Sequence, residues 1–283
     1  MTTQHELAVR FRSLHDPAAP LALANAWDAA SALIVAASGA AAIATSSAGV
    51  AWSLGAADGN RVDRDEALAL LARITGAVGG LGLPVTADIE SGFGATPDEV
   101  ADTVARVLAA GAVGVNIEDS DPEPAPDRPL RPVGEQAERL AAARAAADRA
   151  GIPLYLNARV DVFLRAAGEP AQRTAETLAR ARAYLEAGAS GVFVPGVADS
   201  TLIGELAAGI DAPLNILAGP GTPSVAGLGG LGVARVSLGS AVAEAAYQVA
   251  VRAARELLET GTYDAVRDAV EFRRMNALMR GEA

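Results

Sequence analysis

Cysteine is missing from this 283-residue chain, which excludes disulfides, thiolate metal sites and cysteine nucleophiles. Lysine is missing too: all 23 basic residues are arginine, so no lysine Schiff base with a carbonyl substrate can form. Only His5 and His15 are present, both ahead of every other motif. A Ser-His-Asp triad or a His-rich zinc site therefore has nothing to draw on along the rest of the chain. Positive charge is scarce: the formal net charge of -11 argues against nucleic acid or an anionic membrane surface as the main partner. The first fifteen residues mix polar and apolar side chains rather than following a basic start with an apolar run, and the protein is expected to be cytoplasmic. The stretch from Ala29 to Ala57 carries no charge and is long enough to suggest a membrane span. It is mostly Ala, Ser and Gly and is divided by Gly39, so no span is expected. Chemistry is left to carboxylates, arginines, hydroxyls, backbone dipoles and a metal.

The stretch Val85-Thr86-Ala87-Asp88-Ile89-Glu90-Ser91-Gly92-Phe93-Gly94 is expected to be a strand that starts after Pro84 and ends in two carboxylates and a Gly-rich turn. Period-two alternation would put Asp88 and Glu90 on one face. Two acids so placed repel unless something cationic sits between them. Hard oxygen ligands on a rigid element suit Mg²⁺ or Mn²⁺, with waters and substrate filling the other positions. A solvated strand end is the plain alternative.

Around that strand the chain repeats one unit. Apolar strands are expected at residues 20–28, 40–47, 83–90, 112–119, 153–161, 190–195, 213–218 and 233–239, each followed by a helix or helical turn. Thr96-Pro97-Asp98-Glu99 opens one helix with a hydroxyl cap, Pro in the first turn and two acids. Near-continuous apolar strands between amphipathic helices mean a parallel sheet covered by helices. Eight repeats suit an α/β fold of the (β/α)₈ TIM-barrel type; an open doubly wound sheet is the alternative. No linker divides the chain, so residues 1–283 form one domain, with the barrel at about 20–245. Additional C-terminal helices are expected at about 241–258 and 263–279.

Barrel active sites are built at the C-terminal ends of the strands, and unusual polar residues gather there: Asn25 and Asp28, Thr45-Ser46-Ser47, Asp88 and Glu90, Asn116 and Glu118, Asn157-Ala158-Arg159-Val160-Asp161, and Asn215. The planar fork of Arg159 matches a substrate carboxylate, the alternative being an Arg paired only with a neighbouring Asp. The loop Ser46-Ser47-Ala48-Gly49 can offer N–H groups and hydroxyls to an anionic oxygen. Gly219-Pro220-Gly221 and Gly227-Leu228-Gly229-Gly230 lie where barrels often hold phosphate.

Four motifs in order, Thr45-Ser46-Ser47-Ala48-Gly49 with Ser53-Leu54-Gly55 and Asp58, Ala87-Asp88-Ile89-Glu90-Ser91-Gly92-Phe93-Gly94, Asn116-Ile117-Glu118-Asp119 and Asn157-Ala158-Arg159, resemble the isocitrate lyase and phosphoenolpyruvate mutase superfamily over about residues 20–245. The resemblance implies an α/β barrel that binds Mg²⁺ and a small 2-oxo or 2-hydroxy carboxylate and works through an enolate-like intermediate. It implies Asp88 and Glu90 at the metal, largely through waters, with Glu118 behind them. Arg159 and Ser46-Ser47-Ala48 would hold the substrate carboxylate and oxyanion, and Asp58 would approach the reacting group from a mobile loop. It also implies a homotetramer, a dimer of dimers that exchanges the segment after Gly261.

Three departures shape the expectation. Glu90 stands where the family usually has Asp. The stretch Asp121 to Pro132, with five prolines, lacks the Lys-Lys-Cys-Gly-His signature of the lyase branch, and the lid Asn of the mutase branch is not found there. That stretch is expected to be a stiff extended flap, or else a passive surface loop. The expected function is a Mg²⁺-dependent lyase that cleaves or decarboxylates a small 2-oxo or 2-hydroxy acid. A phosphonopyruvate-type C–P hydrolase or mutase is the nearest alternative, and a barrel that binds a 2-oxo acid without turning it over is another. An aldolase outside this superfamily would need a His ligand that the barrel cannot supply.

Overall fold

The computed structural model describes residues 2–59, 61–125 and 128–282. Its core is one sheet of eight parallel strands: β1 (Leu21–Leu23), β2 (Ile43–Ala44), β3 (Val85–Asp88), β4 (Gly114–Glu118), β7 (Tyr155–Arg159), β8 (Gly191–Val194), β9 (Leu214–Leu217) and β10 (Val233–Ser237). β5 (Ser120–Ala125) and β6 (Arg128–Leu130) form a separate antiparallel hairpin. The sheet runs β1-β10-β9-β8-β7-β4-β3-β2. A parallel bridge between Ala26 and Thr45 brings its two edges together. Ala26 N–H donates to the Ala44 carbonyl at 2.8 Å and Ser46 N–H to the Ala26 carbonyl at 3.1 Å. The result is a nearly closed (β/α)₈ barrel.

Helices cover it: α2 (Ala29–Ala37), α3 (Ser47–Ser53), α4 (Arg64–Val78), α5 (Pro97–Ala109), α6 (Val133–Arg149), α7 (Arg173–Glu186), α8 (Ser200–Gly209) and α9 (Val225–Gly230), with α1 (Gln4–Ser13) before the barrel and α10 (Ala241–Glu259) and α11 (Phe272–Met279) after it. Strand residues such as Val115, Ile117, Leu156, Val192 and Ile216 are fully buried, as expected where helices cover one face and the barrel interior the other. Helix starts follow local chemistry. Thr96 caps α5 in a capping box with Glu99, and Pro97 lies in the first turn, where no N–H is needed.

α1 covers the end of the barrel where β4 and β7 begin. Phe11 is fully buried, and a Cβ at Gly114 would come within 2.8 Å of its ring; only glycine lets the helix lie this close. His15 stacks on Tyr155 with ring centroids 3.8 Å apart, and Phe11 meets both rings edge-on. His15 Nδ1 lies 2.9 Å from the Phe11 carbonyl and so carries the proton, leaving Nε2 buried without a partner. Burial, then the neighbouring Arg235, push the imidazole pKa down to about 3.

Several expectations are corrected. The first strand is three residues plus one bridge rather than residues 20–28; beyond it the Asn25 amide donates to the Thr45 carbonyl and accepts from the Leu238 and Gly239 N–H groups. The Ser46–Gly49 loop is instead the start of α3: Ser46 caps it by accepting from Gly49 N–H. The second C-terminal helix is only α11, preceded by a short 3₁₀ turn, Asp264–Val266. The proline-rich stretch is extended, as the hairpin β5/β6; its Pro126 and Asp127 lie outside the described residues. Among the described residues no helix is long and apolar enough to cross a membrane.

Candidate active site

The acids do gather at the C-terminal ends of β3 and β4, by a different local geometry from simple alternation. β3 stops at Asp88. Glu90 follows with φ +52°, Gly92 with φ +98° and Phe93 with φ +50°. The chain therefore leaves the pleat, and Glu90 is placed by a turn rather than by strand periodicity. Asp88 Oδ1 accepts the Glu90 N–H at 3.2 Å, and the Asp88 N–H donates to Thr45 Oγ1 at 2.9 Å. Gly92 answers two demands at once: it takes the left-handed conformation, and a Cβ there would press on Val100 at 3.0 Å.

Arg159 ends β7 between two carboxylates. Its Nη1 is 2.6 Å from Glu118 Oε2. Its Nε and Nη2 donate to Asp161 Oδ1 and Oδ2 at 2.6 and 3.0 Å, a two-pronged pair. Both partners are buried, and the guanidinium lies 5.9 Å from the centre of the Phe193 ring. Asp161 also accepts from Ser120 Oγ at 2.5 Å, at the root of the hairpin, and Ser120 Oγ accepts from Arg165. The network thus runs from the barrel mouth into β5. Asp119, next to Glu118, is answered separately by Arg180 Nη1 at 3.0 Å and the Tyr184 hydroxyl at 2.9 Å.

What is left is an excess of acid. Burial raises the Asp88 pKa; Arg159 opposes the shift and Asp58 adds to it. Burial also raises Glu118, against the pull of Arg159 and with the repulsion of Asp161, Asp88 and Glu90. Asp58 thus lies near enough to repel Asp88, although its own side chain is exposed on the segment after α3. A cavity of about 20 Å³ is lined by Thr45, Ser47, Asp88, Glu90 and Phe93 among apolar neighbours. A second, of about 30 Å³, joins Asp88 to Asn116, Asn215, Arg235 and Ser237. An open cleft of about 570 Å³ lies beside the Glu90 turn, between residues 62–64 and the hairpin residues 121–123.

Asn215 faces into the barrel within β9. Its Oδ1 accepts from Asn157 Nδ2 at 3.1 Å, and Asn157 Nδ2 also donates to Asn116 Oδ1 at 3.1 Å. Asn215 Nδ2 reaches Ser237 Oγ at 3.2 Å. It therefore belongs to a layer of amides beneath the acids. Ser47 and Ala48 are buried in the first turn of α3, where N–H groups have no acceptor within the helix.

A divalent cation fits the donor set in one manner. Among the described residues no three or more His or acid side chains converge as direct ligands. Asp88, Glu90 and Glu118 would hold an ion with water completing the shell, the manner in which Mg²⁺ is usually bound. Three side chains that the sequence reading passed over lie buried against the site: Gln136 donates to the Glu118 carbonyl, Arg139 to the turn after Glu90, and Arg235 lines the second cavity. Arg235 could have been found, because it faces inward in an otherwise apolar strand.

The profile of the phosphoenolpyruvate phosphomutase family matches residues 11–258. An uncharacterised protein of Mycobacterium tuberculosis (strain ATCC 25618 / H37Rv) is 42% identical over 247 residues, 87% of each chain. The 2-methylisocitrate lyase of Escherichia coli (strain K12) is 30% identical over 213 residues, 74% of this chain and 69% of the lyase. The crystal structure of a proposed phosphonomutase from Burkholderia cenocepacia J2315 superposes with TM-score 0.82 at 46% identity, covering 88% of this chain and 99% of that one. On this evidence the chain belongs to the phosphoenolpyruvate phosphomutase family, within the isocitrate lyase and phosphoenolpyruvate mutase superfamily.

Proposed function

We propose that the protein is a Mg²⁺- or Mn²⁺-dependent lyase that cleaves or decarboxylates a small 2-oxo or 2-hydroxy carboxylate through an enolate-like intermediate. The observation that carries this reading is the buried carboxylate at the mouth: Asp88 and Glu118 share one guanidinium, Arg159, which also answers Asp161, and Glu90 lies close enough to repel Glu118. A bound divalent cation would offset that surplus and supply Lewis-acid polarisation of a substrate oxygen. Arg159 is held rigid by its two acids, and its remaining N–H groups would meet the substrate carboxylate. The first-turn amides of α3, at Ser47 and Ala48, with the Ser46 hydroxyl, would face the oxygen on which charge develops. Asn215 would fix the floor beneath the substrate. Asp58, outside the dry interior, or a water it holds, would handle the proton, since the chain has no lid cysteine.

The likeness to 2-methylisocitrate lyase supports C–C chemistry. The likeness to the proposed phosphonomutase supports a second reading, C–P chemistry on a phosphonate such as phosphonopyruvate. The deciding experiment follows pyruvate and phosphate release, with and without Mg²⁺, from oxaloacetate, 2-methylmalate-type acids, methylisocitrate and phosphonopyruvate. Metal-dependent pyruvate without phosphate supports the lyase, and phosphate release replaces it with the second reading. Mg²⁺-dependent stabilisation by oxalate without any turnover would leave either a site whose substrate lies outside this panel or a barrel that only binds.

The protein is further proposed to work as a homo-oligomer, a dimer of dimers. Only Ala243 of α10 is buried, and Tyr247, Val251 and Leu258 lie exposed at helical spacing on it. A second copy would cover that stripe. Leu258→Glu should shift the mass measured by light scattering to a smaller species; an unchanged mass would remove α10 from the interface.

A further inference from the structure

We propose that α6 is the back-plate of the acid pair: Gln136 and Arg139, three residues apart on its buried stripe, position Glu118 and Glu90 to hold a divalent cation. This rests on the cation reading above. Gln136 and Arg139 are both fully buried, and neither touches the open mouth. Gln136 Nε2 donates to the Glu118 carbonyl at 3.0 Å. Arg139 spends its fork on the turn that follows Glu90: Nη2 donates to the carbonyls of Ser91 at 2.6 Å and Gly94 at 2.7 Å, and Nη1 to that of Ala95 at 2.9 Å.

The choice of residue is informative. The rest of the stripe, Leu140, Ala143 and Ala147, packs as ordinary core, and an aliphatic side chain at residue 139 would bury with no desolvation cost. A guanidinium with no carboxylate among its hydrogen-bond partners is expensive to bury, and three backbone carbonyls are its return. The turn it grips needs holding. Glu90 and Phe93 are non-glycine residues at positive φ, each costing on the order of 1 kcal/mol or more and persisting only where the surroundings impose it. From the other side α5 closes the same turn: the Glu99 carboxylate accepts the N–H groups of Ala95 and Thr96 at 2.7 and 2.9 Å. Glu90 is thus set by a clamp whose donors come from α6 and whose acceptor comes from α5. Glu118 is set by the same helix, one turn earlier.

The test is Mn²⁺ binding followed by electron paramagnetic resonance, alongside thermal unfolding, in the wild type, Arg139→Met, Arg139→Lys, Gln136→Met and a core control, Leu140→Ala. Positioning partners of metal ligands are typically worth tenfold or more in affinity. Arg139→Met should weaken Mn²⁺ by about that factor, Arg139→Lys should recover part of the loss, and Gln136→Met should lose less. Leu140→Ala should lower the melting temperature and leave Mn²⁺ affinity alone. If Arg139→Met does not fold, the lysine and Gln136 variants decide. Wild-type affinity in those variants, or an equal loss in Leu140→Ala, overturns the positioning inference and leaves the cation reading standing. A wild type that binds no Mn²⁺ overturns both.

Discussion

At the mouth of the barrel, Asp88 and Glu118 crowd around a single guanidinium, Arg159, while at the closed end α1 lays Phe11 and His15 on Tyr155. Both ends bury groups that water would hold more cheaply, yet with opposite support. The mouth is held by ion pairs and strained backbone, and its surplus is acid. The closed end is held by aromatic packing and its imidazole is kept neutral. A region poised for a cation gives up stability for function; a region that only seals the barrel has no such reason. Mutation should therefore separate the two.

The largest effect is expected at Asp88. Asp88→Asn keeps an oxygen for the Glu90 N–H but removes a charge that neighbouring acids oppose. Cation-dependent turnover and Mn²⁺ binding should be abolished, while the metal-free protein melts no lower than the wild type. Wild-type activity in this variant would remove Asp88 from the metal site; a lower melting temperature would mean that the acid surplus is not a burden on the fold.

Next comes Arg159→Ala. It leaves Glu118 and Asp161 buried without their cation, a loss of about 3–5 kcal/mol by analogy with other broken buried pairs, and it should weaken oxalate binding as well. Asp58→Ala is the contrasting variant: exposed on the segment after α3, it should lower turnover more than binding and leave urea unfolding unchanged. Equal losses of stability in the two variants would dissolve the distinction between held and mobile parts of the mouth. At the closed end, Phe11→Ala should cost about 3–5 kcal/mol in a urea titration, with turnover per folded molecule untouched.

The same contrast explains what the amino-acid sequence discloses. Eight apolar runs between amphipathic helices are a consequence of burial on both faces, so the barrel and the gathering of Asp88, Glu118 and Arg159 at strand ends could be anticipated. Local geometry past a strand end could not. Glu90 was expected to follow period-two alternation, but alternation holds only while the pleat continues, and the turn at Ile89–Glu90 breaks it. α3 was hidden because Ser, Ala and Gly carry no periodic signal, and the cap at Ser46 is its one local mark. Gln136 and Arg139 were hidden for another reason: their partners are backbone carbonyls remote in sequence, which leave no residue type to recognise. The stripe on which they sit, shared with Leu140 and Ala143, was visible, and a polar residue on it was the available clue.

The smallest effect expected is a pH dependence at His15. Its pKa in the folded protein is about 3, below the ordinary value near 6.5. Between those two values the unfolded chain binds a proton that the folded chain refuses, so stability is full above about pH 6.5 and falls as pH drops towards 3. From pH 7 to pH 5 that single group costs about 2 kcal/mol. His15→Phe keeps a ring against Tyr155 and Phe11 and leaves the Phe11 carbonyl a donor in the Leu14 N–H at 3.3 Å. Urea midpoints at pH 7 and pH 5 should therefore fall less for this variant than for the wild type. Carboxylates elsewhere, including the mouth, titrate alike in both proteins and cancel in the difference. An equal fall in both would mean that the closed end already admits a proton, and that its imidazole is not held neutral by the packing of α1.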